Sequence, residues 1–219
     1  MTATQQSPHA GQPVQIAGEP LSSAQAAMIM IHGRGASAAD ILSLIPMLNM
    51  PGFAYLAPEA LGSSWYPYSF LAPLDNNEPG LSSALNVIDG LVDHITAAGI
   101  PADRIIILGF SQGACLATEY AARFPRRFGG IAGLSGGLIG PDDAPRDYPD
   151  TLADTPVFLG CSDVDPHIPA ARVIESAAIL ERMGAQVTRR LYPNMGHLIN
   201  EDEIGHVRAM MNLLIPAAE

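Results

Sequence analysis

The chain has 219 residues, 48% hydrophobic and only 15% charged, which is enough apolar matter for a real core and excludes a disordered chain. Lys and Arg number 11 against 22 Asp and Glu, and the net charge of −11 excludes a basic nucleic-acid footprint and disfavours anionic membrane surfaces. No run approaches the roughly 18–20 apolar residues of a membrane span. Residues 1–12 read as a mobile tail. The first fifteen residues have neither the basic region nor the apolar stretch of a secretory leader, so the expected compartment is the cytoplasm. A single domain is expected over residues 13–219. Apolar runs predict strands at Val14–Ile16, Ala26–Ile31, Phe53–Ala57, Ile105–Gly109, Gly130–Leu134, Val157–Gly160 and Val187–Leu191. Between them, helical patterns fall at Ala38–Leu48, Leu81–Ala98, Gln112–Phe124, Ala170–Met183 and Asp202–Leu214. Alternation of buried strands with helices predicts an α/β fold, a doubly wound, mostly parallel sheet of about seven strands with helices on both faces. The stretches Pro58–Gly80 and Ser135–Pro156 are rich in turn formers and read as long loops. Cys115 and Cys161 have no metal-ligand spacing, so no zinc site is expected and two buried free thiols are.

Residues Ile105–Phe124, IIILGFSQGACLATEYAARF, carry the strongest chemical signal. An apolar strand runs into Gly109-Phe110-Ser111-Gln112-Gly113 and then into a helix pattern. That layout is a nucleophile elbow, a sharp strand-to-helix turn that lifts one hydroxyl out at its tip. Two glycines belong there because strand and helix backbones pass too close for a Cβ. A second G-x-S-x-G, Gly133-Leu134-Ser135-Gly136-Gly137, opens onto Gly, Pro and Asp rather than a helix, so Ser135 reads as loop structure.

A serine hydroxyl needs a base within hydrogen-bond reach, and that base needs an acid to hold its tautomer. His167, His197 and His206 follow Ser111 in the chain. His197 is preferred because it lies on a loop directly after the last strand, whereas His206 falls inside a helix and His167 sits between two prolines. After the strand Val157–Gly160, either Asp163 or Asp165 can orient the imidazole; Pro166 holds Asp165 extended. An oxyanion hole needs two preset N–H donors. The backbone N–H groups of Gln112 and of Arg34, in the turn His32-Gly33-Arg34-Gly35, are the candidates. The Arg34 side chain is expected to pair with a carboxylate, or else to meet an acidic substrate tail. Trp65, Tyr66, Tyr68 and Phe70 either pin their loop down or form an acyl- or aryl-binding wall, with Ile168 as a further candidate substrate-binding residue.

These blocks together resemble the phospholipase/carboxylesterase family of α/β-hydrolases. The resemblance covers about residues 26–215 and rests on His32-Gly33-x-Gly35, Gly109-Phe110-Ser111-Gln112-Gly113, Leu134-Ser135-Gly136, Asp165-Pro166-x-Ile168-Pro169 and Met195-Gly196-His197. It implies the α/β-hydrolase fold with little or no separate cap, and a triad of Ser111, Asp165 and His197. It also implies hydrolysis of esters or thioesters with no metal or nucleotide cofactor. The acyl-protein thioesterases of the family carry Leu and Asp where this chain has Arg34 and Ala36, and His-Gly where it has Cys161-Ser162. The segment Ser64–Leu71 looks more like the bacterial carboxylesterase branch. The expected function is therefore hydrolysis of small carboxylic esters, with thioesters and lysophospholipid-like esters as variants. A non-catalytic scaffold for an ester-like ligand and a serine amidase or peptidase are the alternatives. Periodicity does not separate core from a homodimer face, so a second copy of the chain stays among the partners.

Overall fold

All seven expected strands form. In the computed structural model, which describes residues 7–48, 50–148 and 151–215, they are β1 (Val14–Gly18), β2 (Ala26–Ile31), β3 (Phe53–Pro58), β4 (Ile105–Phe110), β5 (Gly130–Leu134), β6 (Pro156–Ser162) and β7 (Gln186–Tyr192). They make one sheet in the order β1-β3-β2-β4-β5-β6-β7. Only the β1–β3 pairing is antiparallel. Connections leave β2 toward one edge and β4 toward the other. The crevice at the carboxyl ends of these two neighbours is therefore the topological switch point, where open α/β sheets place their ligands.

Residues along the central strands alternate between two cores, as the two-residue period of a strand requires. Ala27, Ile29, Ile31, Ile105 and Ile107 face one core, and Ala26, Met28, Met30, Ile106 and Leu108 face the other. Helices α3 (Gly80–Ala97), α4 (Gln112–Arg123) and α5 (Ala170–Arg182) cover the first face. Helices α1 (Ala38–Leu42), α2 (Ile45–Leu48) and α6 (Glu201–Leu214) cover the second. In α3, Leu81, Ala84, Leu85, Ile88, Leu91, Val92 and Ile95 are buried at three- and four-residue spacing, the apolar stripe of a helix lying on a sheet. Helix α4 is buried along nearly its whole length, which fixes the elbow at its start.

The structure corrects two sequence expectations. The single helix expected over Ala38–Leu48 is two short ones, because Pro46 has no N–H to offer the Leu42 carbonyl and its ring collides with that turn. Of the mobile tail expected over residues 1–12, residues 1–6 lie outside the described residues, and His9 is held in the fold at 3% exposure. His9 Nε2–H donates to the Trp65 carbonyl (2.8 Å) and Nδ1 accepts the Leu61 N–H (3.1 Å). No sequence pattern announced this, since the partners lie more than fifty residues away. Both long loops are ordered where described. The first carries 3-10 turns at Leu61–Ser63 and Leu74–Asn77, and the second buries Leu138 and Ile139. Among the described residues no helix is long and apolar enough to cross a membrane.

Candidate active site

Ser111 follows β4 and precedes α4, with φ 55° and ψ −117°. A side chain rarely takes this backbone shape, and here the surroundings impose it. Ser111 N–H donates to the Leu134 carbonyl (2.9 Å), which binds the turn to β5. A Cβ on Gly109 would overlap the Gly113 carbonyl, and one on Gly113 would overlap the Ile31 carbonyl. The two glycines are thus the condition for the helix to cross β4 and β2 this closely.

His197 joins three separated stretches of chain. Its Nε2 lies 2.9 Å from Ser111 Oγ and its Nδ1 lies 2.7 Å from Asp165 Oδ2. A carboxylate only accepts, so Nδ1 carries the proton and Nε2 is left as the acceptor for the serine hydroxyl. Asp165 Oδ1 accepts the N–H groups of His167 (2.8 Å) and Ile168 (3.0 Å). Burial works against the charge on Asp165. The bonds from His197, His167 and Ile168 outweigh it and hold the carboxyl below its ordinary range. The side chain of Asp165 is fully buried, while His197 keeps 19% exposure toward the cleft. Phe110 packs against one side of the imidazole at 5.0 Å between ring centres, and the His167 ring meets it edge-on at 4.8 Å.

The rival residues take structural positions. Asp163 Oδ1 accepts the Asn194 N–H (2.8 Å) and Ser162 Oγ accepts the Gly196 N–H (3.1 Å), so this pair holds the loop that carries His197. The sequence offered Asp163 only as an alternative acid and gave Ser162 no role in the site; the β6–β7 pairing brings the two loops together. His206 stacks on Phe158. Ser135 is fully buried at φ 55°, with its N–H on the Gly160 carbonyl, and does not line the cleft. Cys115 and Cys161 are buried free thiols, each pushed up to about 12 by burial. Among the described residues no group of three or more His, Cys, Asp and Glu side chains could hold a metal ion.

A cleft of about 550 Å³ opens over Ser111, lined in part by Tyr66, Tyr68, Phe70, Ile168 and His167. Trp65 is not part of this wall. It is fully buried behind it, with Nε1–H on the His32 carbonyl (2.9 Å) and its ring between those of His9 and His32. The Arg34 side chain also departs from expectation. Among the described residues it pairs with no carboxylate, and its guanidinium is instead occupied by Ser64 and the carbonyls of Tyr66, Pro67 and Tyr68. The N–H groups of Arg34 and Gln112 have no acceptor among the described residues, and both residues line the cleft beside Ser111.

A family profile described as Phospholipase/Carboxylesterase matches residues 14–215. The chain belongs to the phospholipase/carboxylesterase family. Among its relatives, acyl-protein thioesterase 1 of Gibberella zeae is 30% identical over 146 residues, 63% of this chain and 59% of that protein. The chain therefore spans less than two thirds of that relative. Acyl-protein thioesterase 1 of Yarrowia lipolytica is 28% identical over 201 residues, covering 83% of this chain and 88% of that one. The crystal structure of a phospholipase/carboxylesterase from Dyadobacter fermentans DSM 18053 is 45% identical and superposes with a TM-score of 0.88, covering 92% of this chain and 96% of that one. Arg34 and the Ser64–Leu71 segment touch each other directly.

Proposed function

We propose that this protein is a serine hydrolase of small carboxylic esters, working through Ser111, His197 and Asp165. The observation that carries the reading is the pair of hydrogen bonds on one imidazole, 2.9 Å to the serine and 2.7 Å to the acid. His197 takes the Ser111 proton as Oγ attacks the carbonyl carbon. The N–H groups of Gln112 and Arg34 receive the oxyanion; each such donor contributes about 3 kcal/mol to the transition state. Asp165 stabilises the imidazolium and keeps its ring oriented. His197 then protonates the leaving alcohol, and the same imidazole activates the water that releases the acid. The apolar wall of Tyr66, Tyr68, Phe70 and Ile168 suits an acyl or aryl group.

Turnover of p-nitrophenyl acetate and butyrate tests the reading, with Ser111→Ala as control. The expected loss in the variant is about 10⁴-fold or more. Equal rates from both proteins would leave a ligand-binding scaffold as the better account. A fluorophosphonate probe is expected to label Ser111 and spare Ser135.

A further inference from the structure

We infer that Arg34 is a positioning residue that locks the oxyanion turn to the substrate wall, an inference that rests on the ester-hydrolase reading above. Its Nη1–H groups donate to Ser64 Oγ (2.9 Å) and the Pro67 carbonyl (3.0 Å). Its Nη2–H groups donate to the carbonyls of Tyr66 (2.8 Å) and Tyr68 (2.7 Å). Three successive carbonyls thus converge on one guanidinium, whose centre also lies 5.9 Å from the Tyr66 ring. The other oxyanion residue grips the same segment. Gln112 Oε1 accepts the Trp65 N–H (2.9 Å), and Gln112 Nε2–H donates to the Tyr66 carbonyl (2.9 Å). Next to Arg34, Gly35 N–H donates to the Ser63 carbonyl (2.7 Å).

The backbone of each residue therefore offers a free N–H to the reacting carbonyl while its side chain holds residues 64–68. A planar fork with fixed donors matches several carbonyls at once. An ammonium ion is a point charge on a flexible stem, and a leucine offers nothing. The brace sets the direction of the Arg34 N–H because the side chain that fixes it and the N–H that works share one Cα. It also places Tyr66 and Tyr68 over Ser111. A displacement on the order of 1 Å in such a group costs up to about 100-fold in rate.

The test compares wild type, Ser111→Ala, Arg34→Ala and Arg34→Lys on p-nitrophenyl butyrate, with a thermal melt of each. Arg34→Ala is expected to lose about 10- to 100-fold in kcat with a smaller change in KM. Arg34→Lys is expected to recover little. Millimolar guanidinium is expected to restore kcat to Arg34→Ala saturably, while methylammonium does not. Rescue is the readout that a merely structural role would not move, because an unfolded chain has no site for the ion; should Arg34→Ala not fold, Arg34→Gln takes the same tests. Full activity of Arg34→Lys, a kcat for Arg34→Ala within twofold of wild type, or a lost rate that guanidinium leaves unchanged overturns the brace alone. Equal turnover by wild type and Ser111→Ala removes the reaction, and the brace with it.

Discussion

Ser111 holds a backbone conformation that costs on the order of 1–3 kcal/mol, and the structure shows what maintains it. The bond from its N–H to Leu134, the close crossing at Gly109 and Gly113, and the burial of α4 leave the chain no other path. Gly113→Ala must push Ile31 and α4 apart. It is expected to lower Tm by about 10 °C or more, at roughly 2–4 °C per kcal/mol for a chain of this size; a melt within 2 °C of wild type would show that the crossing is looser than drawn. Asp165 allows a sharper test. Asp165→Asn keeps shape and burial but invites Nδ1 to accept rather than donate, which turns the Nε2 proton toward Ser111. The expected result is a fall in kcat of about 10⁴-fold with little change in KM. The preference for Asp165 over Asp163 came from Pro166 and from the family resemblance. The reason is visible only in three dimensions: Asp163 is engaged with Asn194, and Asp165 with His197.

Helix α6 begins directly after the His197 loop, and its first turn contains a buried carboxyl. Asn200 and Glu203 form a reciprocal cap, with Glu203 N–H on Asn200 Oδ1 and Asn200 N–H on Glu203 Oε2, both at 2.9 Å. Glu203 is fully buried and its other oxygen, Oε1, has no partner among the described residues. Burial raises the carboxyl to about 7, against the opposing pull of the Asn200 N–H. A folded value above the unfolded one means that the protonated form favours folding. That stabilisation is complete below about pH 4.5 and is lost as the pH rises to about 7. Glu203→Gln keeps the acceptor for Asn200 and removes the charge. Its Tm advantage over wild type is expected to grow between pH 4.5 and 7 and to level off above; an advantage that is constant with pH would place the charge outside the fold. His9 acts with the opposite sign. Burial lowers its imidazole below the ordinary histidine range, so its contribution is present at neutral pH and fades as the pH drops through that lowered value. Melting of the contact it makes with Trp65 is expected to shift Trp65 emission to longer wavelength, and His9→Leu is expected to abolish that acid transition.

At the scale of the whole molecule the net charge of −11 sets the long-range field. Anionic substrates approach against it, and salt screens it over about 30 Å at 10 mM and about 8 Å at 150 mM. Between these salt concentrations kcat/KM for a mono-anionic ester such as p-nitrophenyl succinate is expected to rise at least about twofold, while neutral p-nitrophenyl butyrate stays level. A fall for the anionic ester would mean that the local field of Arg34 outweighs the rest of the chain. Strands and helices were legible because hydrophobic periodicity is local. The Ala38–Leu48 helix failed because a proline outranked that period, and His9 because burial by a distant loop leaves no mark on its neighbours in sequence. Ser111, His197 and the turn at Arg34 could be named because a strand end, a glycine pair and a loop position are short-range signals. The Arg34 side chain was misplaced and the role of Trp65 stayed open, because the direction a side chain points depends on which distant segment packs against it. By itself the sequence determined the alternation of strand and helix, the elbow and its serine, since these follow from residue type and spacing along a few turns of chain. Tertiary structure alone decided what Asp163 holds, which aromatic faces the cleft and what the arginine grips, because each depends on contacts between segments dozens of residues apart.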